Sequence, residues 1–145
     1  MNAAGQLPGS YFLAPGQGVA GFDANVKASK LSTGGALTMI ESRTAGGAPW
    51  HVHSREDEFL YVVSGKLLIH CGENEFNGEP GAFVYLPRGV AHAWDVVSDE
   101  KAVVLMMTVP AMLESFLQEF HAVSGQNAKD QVAEKYGIRF LAKKP

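Results

Sequence analysis

The sequence has little cysteine and little excess charge, and each shortage excludes a class of protein. A single cysteine, Cys71, excludes an internal disulfide framework and a cysteine-based zinc finger. The net charge is −3, from 12 Lys and Arg against 15 Asp and Glu, which provides no basic surface for nucleic acid. No apolar run reaches the roughly 18 residues that span a bilayer, and residues 1–18 contain neither Lys nor Arg. We therefore expect no membrane span, no secretory signal and a cytoplasmic location.

The composition that remains is typical of one globular unit. The chain has 145 residues, of which 46% are apolar and 19% are charged, and this mixture is too apolar for a disordered segment. We expect a single domain over residues 1–145, with a barrel core over about 25–110 and a helical tail over about 110–145.

Short apolar runs, separated by Gly and Pro, fill the first two thirds of the chain. Six of these runs predict β-strands, at residues 36–41, 58–63, 66–71, 82–86, 91–97 and 102–109. Such spacing favours an all-β barrel or sandwich. Antiparallel pairing is expected because no helix-length crossover lies between the runs. Ser64-Gly65, between two of the runs, predicts a hairpin turn.

The pattern changes after Pro110. Apolar residues then follow one face of an amphipathic helix, at positions 112, 113, 116, 117 and 120. We expect this helix to begin at Pro110, to stop before Gly125, and to bury Phe116 and Leu117 against the barrel or a second subunit. A second, shorter helix is predicted over residues 128–136.

Two histidines and a nearby acidic segment indicate a metal site. His51 and His53 are two residues apart, and on a strand this spacing puts both rings on one face, with Cα atoms about 6.6 Å apart. Two imidazoles that close can reach one ion at a metal–nitrogen distance of about 2.1 Å. His92 follows a turn at residues 87–89 that could return it to the same cavity. A His-x-His pair alone is weak evidence for a metal site, because two surface histidines near a turn are the commoner explanation. The residues around the pair therefore have to distinguish the two interpretations.

That wider pattern resembles the two cupin motifs. Spacings of the first motif, H-x-H-x4-E-x6-G, are matched by His51, His53, Glu58 and Gly65. Spacings of the second motif, G-x5-P-x-G-x2-H, are matched by Gly81, Pro87, Gly89 and His92. Two positions depart from the pattern: the leading glycine is one residue late, at Gly46, and the closing asparagine is Val96. Neither position is a metal ligand in the family.

The resemblance implies the cupin double-stranded β-helix, a jelly-roll barrel, with C-terminal helices added. It also implies one divalent metal bound by His51, His53, Glu58 and His92. Nickel, manganese, iron, cobalt and zinc are all compatible with three imidazoles and one carboxylate.

A narrower resemblance concerns four segments, which are similar to quercetin 2,3-dioxygenase-type monocupins. The segments are residues 49–53, 56–59, 86–93 and 136–140. The likeness implies a metal-dependent dioxygenase that opens a flavonol-like or other phenolic ring with O₂. In that reaction Glu58 would be both a ligand and the general base. The resemblance also implies a homodimer, consistent with outward-facing Phe59, Tyr61 and Val63.

The strand pattern also predicts the wall of a substrate pocket. Leu60 and Val62 follow Glu58 by two and four residues, and Trp94 follows His92 by two. Residues at this spacing on a strand point to the same side of the sheet, so we expect these three residues to line the pocket. An apolar wall suits a flat aromatic substrate. Glu56 and Asp57 are expected to be solvated carboxylates in a turn.

Two other functions remain open from the sequence. A cupin isomerase acting on a sugar phosphate would need basic side chains aimed into the pocket, but the basic residues near the motifs, Arg55, Lys66 and Arg88, are predicted in turns. A non-catalytic cupin that binds a small molecule is the other alternative. A regulator of this kind would need a DNA-binding domain, for which no room exists before residue 25.

Overall fold

A computed structural model describes residues 9–21 and 24–145; residues 1–8 of the predicted domain lie outside the described part. The strands are β1 (Val19–Gly21), β2 (Ala24–Ala28), β3 (Thr38–Thr44), β4 (Gly47–His53), β5 (Asp57–Ser64), β6 (Leu67–Cys71), β7 (Asn74–Gly78), β8 (Phe83–Leu86), β9 (His92–Val96), β10 (Ala102–Val109) and β11 (Ile138–Phe140). The helices are α1 (Lys30–Thr33), α2 (Leu113–Ala122) and α3 (Gln126–Lys135). In the described part of the chain, no helix is both long and apolar enough to cross a membrane.

The strands form two antiparallel sheets. One sheet has six strands in the order β1-β2-β3-β10-β5-β8, and the other has five in the order β11-β4-β9-β6-β7. Each pairing between neighbouring strands is antiparallel, as the sequence predicts. The predicted all-β jelly roll with C-terminal helices is confirmed.

The main core lies between the two sheets because both sheets contribute inward-facing residues to it. Leu60, Val62 and Val104 come from the six-stranded sheet, whereas Leu67 and Ile69 come from the five-stranded sheet. Each of these side chains is at most 2% exposed. Burial of a Leu or Ile side chain contributes about 1.5–3 kcal/mol, so this cluster holds the two sheets against each other.

A second core joins the C-terminal helices to the barrel. Ile40 on β3 packs with Leu113 and Phe116 on α2, with Val132 on α3 and with Ile138 on β11. The chain after β10 therefore folds back over the six-stranded sheet and then adds β11 to the edge of the other sheet. The predicted burial of Phe116 is confirmed, at 4% exposure, and Leu117 is partly buried.

A buried carboxylate fixes the start of α2. Glu114 accepts a hydrogen bond from the Lys30 backbone amide at 2.6 Å and a short one from the Thr38 hydroxyl. Thr38 Oγ1 in turn accepts from the Met112 amide at 3.0 Å. These bonds satisfy polar groups that burial would otherwise penalise, and they tie α2 to both α1 and β3.

The predicted hairpin at Ser64-Gly65 is wrong. Gly65 has φ 80°, as a tight turn requires, but β5 and β6 belong to different sheets and do not pair. The turn therefore carries the chain from one sheet to the other. A side chain at Gly65 would also collide with Ala102, because an added Cβ would lie 2.7 Å from the Ala102 Cα. This close approach explains why the position is glycine.

The ends of the helices also differ from the prediction. The first C-terminal helix begins at Leu113, after Met112, and not at Pro110. Gly125 is the N-cap of α3 and does not terminate α2, so the second helix starts at Gln126, two residues earlier than expected. Glycine is common at both ends of helices, and the sequence pattern did not distinguish the two positions.

Candidate metal centre

Three strands from the two sheets bring the four predicted ligands together. His51 and His53 project from the end of β4, and His92 projects from the start of β9, where it pairs directly with His51. Glu58 reaches across from β5 in the opposite sheet. One ligand atom from each of the four side chains lies within 4.8 Å of every other. The group is buried, with exposures between 1% and 7%.

The turn before β9 delivers His92 to this group. The Gly89 amide donates a hydrogen bond to the His53 carbonyl at 2.7 Å, which ties the turn at residues 87–89 to the end of β4. Gly89 has φ 80°, a conformation that favours glycine. The second motif therefore returns the chain to the first one, as the sequence predicts.

The Glu58 carboxylate is the centre of the group. Its Oε2 atom lies 2.9 Å from His92 Nε2, 3.2 Å from His53 Nε2 and 4.0 Å from His51 Nε2. The rings of His53 and His92 are parallel within 1°, with centroids 5.4 Å apart. All three imidazoles therefore present the same nitrogen, Nε2, to one point.

The opposite nitrogens of His51 and His92 face backbone carbonyls. His51 Nδ1 lies 2.6 Å from the Pro49 oxygen, and His92 Nδ1 lies 3.3 Å from the Val90 oxygen. A carbonyl oxygen only accepts hydrogen bonds, so each Nδ1 carries a proton and Nε2 is the nitrogen left to face Glu58. Outer hydrogen bonds of this kind orient histidines that bind metals.

Glu56 supplies the corresponding partner of His53, which the sequence analysis missed. We expected Glu56 to be solvated, yet it is fully buried, and its Oε1 lies 2.6 Å from His53 Nδ1. The sequence could have predicted this burial, because Glu56 lies two residues before Glu58 and side chains at that spacing point to the same side of a strand. Asp57 is not freely solvated either: Arg88 bonds both of its oxygens and holds the pKa of its carboxyl below the ordinary value.

Burial and hydrogen bonding set the charges of the cluster. Burial, helped by nearby His92, lowers the pKa of His51 to about 4. Burial opposes charge on His53 too, but its hydrogen bonds to Glu56 and Glu58 outweigh burial and raise its pKa to about 9. Burial also disfavours the Glu58 carboxylate, yet hydrogen bonds from His53 and His92 hold its pKa well below the usual range. The cluster therefore stabilises an ionised Glu58 beside a neutral His51.

This donor set fits a divalent metal. An unprotonated Nε2 of His92 would face a Glu58 oxygen 2.9 Å away, and two lone pairs at that distance repel unless a cation lies between them. A proton satisfies one such contact, whereas a metal ion satisfies all four donors at once. Three imidazoles and one carboxylate suit the borderline divalent transition metals. The absence of thiolate among the donors differs from most closed structural zinc sites.

A cavity of about 620 Å³ opens onto the cluster, and it includes only one of the three predicted pocket residues. Trp94 lines it, together with His51, His53 and Glu58. Leu60 and Val62 do not: both are at most 1% exposed and belong to the core between the sheets. They share the parity of Glu58 but lie two and four residues further along β5, deeper in the barrel.

The C-terminal segment forms the wall that the sequence analysis missed. Phe116 and Phe120 on α2, Phe140 on β11 and Met106 on β10 line the cavity. Pairing of β11 with β4 places Phe140 directly beside His51. The helical spacing of Phe116 and Phe120 was visible in the sequence, but the face it covers depends on where α2 docks.

Comparisons with known proteins agree with this geometry. The family model described as "Cupin domain" matches residues 39–108, which contain all four ligands. These residues therefore form a cupin domain. The solved cupin-like structures also share its fold. KdgF from a Halomonas species superimposes with a TM-score of 0.58 and 17% identity, covering 74% of this chain and 98% of that one.

Two further relatives extend the comparison. A predicted oxalate decarboxylase from Thermotoga maritima has a TM-score of 0.53 and 16% identity, covering 60% of this chain and 78% of that one. An uncharacterised protein of Streptomyces coelicolor is 34% identical over 55 residues, which are 38% of this chain and 52% of that protein. The match thus spans about half the length of this curated relative. At these structural identities, the likeness shows the cupin fold alone.

Proposed function

We propose that this protein is a metal-dependent cupin oxidoreductase, a dioxygenase that acts on a flavonol-like or other phenolic small molecule. One observation carries the proposal: three ligands of a three-histidine, one-carboxylate cluster line a cavity whose wall also contains four aromatic side chains, Trp94, Phe116, Phe120 and Phe140. A bound divalent metal would supply Lewis acidity to a phenolic hydroxyl and open positions for O₂. The identity of that metal is to be found by experiment among nickel, manganese, iron, cobalt and zinc.

The aromatic wall favours a flat ring as the substrate. Trp94, Phe116, Phe120 and Phe140 line the same cavity as His51. Rings in such a wall bind an aromatic molecule by offset stacking or edge contacts and exclude water from it. A low-dielectric pocket of this kind also strengthens the hydrogen bonds that a phenolic hydroxyl makes to the cluster.

Glu58 is the candidate general base. Its side chain is 5% exposed and opens into the cavity, so a substrate hydroxyl can reach its carboxylate. The low pKa of Glu58 keeps it ionised before the substrate binds. Transfer of the hydroxyl proton to this oxygen would leave a phenolate, which is the more readily oxidised form of the ring.

The basic residues near the motifs do not favour a sugar-phosphate isomerase. Arg88 pairs with Asp57, and Lys66 lies 3.3 Å from Glu79. Arg55 donates to the Lys135 backbone oxygen at 2.8 Å. None of these three basic side chains lines the cavity, where a phosphate would need them, and among the described residues Lys129 is the only lysine or arginine that does.

The activity test uses quercetin as substrate. Protein loaded in turn with each of the five metals is mixed with quercetin without oxygen, O₂ is then added, and loss of the flavonol absorbance is followed together with O₂ consumption. Metal-dependent loss of both is expected. Replacement of Glu58 by Gln removes the base and keeps one oxygen donor, so turnover should fall by about 10²–10⁴. The exposed Glu73→Gln serves as the matched control with unchanged turnover.

Three outcomes would change the proposal. No metal-dependent loss with any flavonol tried would exclude the dioxygenase and leave a binding cupin or another cupin enzyme. Wild-type turnover in Glu58→Gln would keep the dioxygenase and exclude Glu58 as its base. Equal turnover with and without metal would exclude the metal from the reaction.

We also propose a homodimer formed through the outer face of the six-stranded sheet. Strand alternation turns Phe59, Tyr61 and Val63 outward on β5, beside Phe83 and Tyr85 on β8. Phe83 is 61% exposed, and its ring centroid lies 6.1 Å from that of Phe59. Such a contiguous apolar face favours association, and a two-fold partner covers the same patch on both subunits.

A further inference from the structure

A row of aromatic rings leads from the metal ligands to a lysine. The Phe140 ring lies 5.8 Å from the His51 ring, between centroids, and the Phe120 ring lies 5.6 Å from Phe140. Lys129 Nζ lies 4.6 Å from the centroid of the Phe120 ring. All four residues line the cavity. The ammonium group is thus held over the last ring of a wall that begins at His51.

Among the described residues, Lys129 has no carboxylate counterion. Lys27, Lys66 and Lys135 each have a carboxylate oxygen within 4.0 Å, whereas no carboxylate of the described residues lies that close to Lys129 Nζ. Contact with the Phe120 ring positions an ammonium group but does not neutralise it. The cavity carboxylate, Glu58, is engaged with the histidines at the other end of the ring row.

Lys129 is also the only lysine or arginine among the described residues that line this cavity. Its side chain comes from α3, and that helix is held against the barrel through buried Val132 and Ala133. A cation that a packed helix holds on the wall of this cavity discriminates between ligands by charge.

We propose that Lys129 binds a carboxylate of the substrate, so that the ligand of this site is an aromatic acid whose phenolic end points toward His51 and Glu58. The inference rests on the proposed function, which gives an aromatic substrate, and it further specifies that this substrate carries a negative charge. A carboxylate at Lys129 would complete a charge-assisted hydrogen bond that the protein itself leaves unmade. Lys129 is then a specificity residue and takes no part in the proton transfer at Glu58.

The test compares two probes with the same ring system, one with a charged carboxylate and one with a neutral ester in its place. They are 6-hydroxy-2-naphthoate and its methyl ester, which share the fused ring and the phenol. Dissociation constants for both are measured by fluorescence titration against the full-length, metal-loaded protein and against three variants. Lys129→Gln removes the charge, Lys129→Arg keeps it, and Lys101→Gln makes the same charge change at an exposed control position. Lys101 precedes β10, whose other end pairs with Glu58.

The wild type is expected to bind the acid about tenfold more tightly than the ester, the lower range for a hydrogen bond to a charged group. Lys129→Gln should lose this preference, mainly through weaker binding of the acid. Lys129→Arg and Lys101→Gln should keep it. Added salt should weaken binding of the acid and leave the ester unchanged, because salt screens partly exposed charges.

The outcomes separate this inference from the proposed function. If both probes bind equally, or if Lys129→Gln keeps the preference, the carboxylate subsite is excluded while the aromatic pocket stands. If neither probe binds, the aromatic pocket fails and the inference fails with it. These measurements compare the dissociation constants of the acid and the ester and need no turnover. Their interpretation therefore does not depend on whether the protein turns over quercetin.

Discussion

At the scale of single residues, the metal centre depends on the outer hydrogen bonds of its histidines as much as on the ligands. His53 is held by Glu56, a side chain that is itself fully buried. The second oxygen of Glu56 has no hydrogen-bond partner in the described part of the chain. A buried carboxylate in this position is costly unless its charge contributes to the site, and here that charge increases the basicity of the His53 ring.

The first prediction concerns this outer carboxylate. Glu56→Gln should weaken metal binding about 10–100-fold, because an amide orients His53 but donates no negative charge to it. His51→Ala should lose most of the metal, since it removes a ligand. Competition with a chelator of known affinity measures both effects. Glu75→Gln is the control, because Glu75 lies near His70 outside the cluster and is exposed. Unchanged affinity in Glu56→Gln would show that Glu56 has only a structural role.

The second prediction is a maximum of stability near neutral pH in chelator-treated protein. Folded His53 keeps its proton up to about pH 9, so the native state binds more protons above 6.5 and stability falls as pH rises to 9. Folded His51 stays neutral down to about pH 4, so below 6.5 the unfolded state binds more protons and stability falls in acid. The lowered pKa of Glu58 adds to this acid loss.

Urea denaturation of the chelator-treated protein between pH 4 and 9 measures this profile. The midpoint should be highest near pH 6.5, and His51→Gln should reduce the loss on the acid side. His70→Gln, outside the cluster, should leave the profile unchanged. A midpoint that rises steadily to pH 9 would contradict the charge assignment of His53.

At the scale of the elements, the C-terminal helices belong to both the fold and the site. One face of α2 buries Phe116 against β3 and α3, and the same helix lends Phe120 to the cavity wall. β11 then pairs with the strand that carries His51 and His53. Loosening this tail would therefore change stability and the shape of the cavity together.

The third prediction follows from that packing. Phe116 is 4% exposed, and its ring lies 5.1 Å from Phe120 and 5.9 Å from Tyr136. Phe116→Ala should reduce the free energy of unfolding by about 3–5 kcal/mol. Phe12→Ala, at a position that is 83% exposed, should change it by less than about 0.5 kcal/mol. A loss under about 1 kcal/mol for Phe116→Ala in denaturant melts would show that α2 is only loosely docked.

At the scale of the whole molecule, the two sheets have different surroundings. The five-stranded sheet is extended at its edge by β11, whereas the outer face of β5 and β8 exposes large aromatic side chains. An apolar sheet face of this kind is normally covered in the functional assembly.

The fourth prediction tests the proposed dimer at this face. Phe83→Asp places a charge on the patch and should convert a dimer to a monomer, because burying an unpaired carboxylate in the interface is unfavourable. Phe12→Asp makes the same change at another exposed position and should remain dimeric. Sedimentation equilibrium of both variants and the wild type gives the mass. A monomeric wild type would exclude the dimer.

Much of this molecule follows from local sequence pattern. Alternating apolar residues place most of the barrel strands, because the period of two is a property of each strand alone. The ligand identities follow from His51 and His53 on one strand face, joined to Glu58 and His92 by motif spacing. Strands with few apolar residues, such as β7, could not be predicted from this alternation. Such a strand is held in the sheet by pairing with its neighbour, which its own composition does not reveal.

The rest was decided only when distant segments met. In the sequence, Glu56 looks like any solvated acid, and only its contact with His53 in the folded chain reveals its role. Leu60 and Val62 are core residues because they lie too deep along β5 to reach the cavity. Phe140 and Lys129 are far from the ligands in sequence, yet β11 and α3 bring both to the cavity. The sequence by itself therefore determined which side chains can bind a metal, because strand period is local. The tertiary structure determined what surrounds that candidate site, because packing between distant elements cannot be deduced from a local pattern.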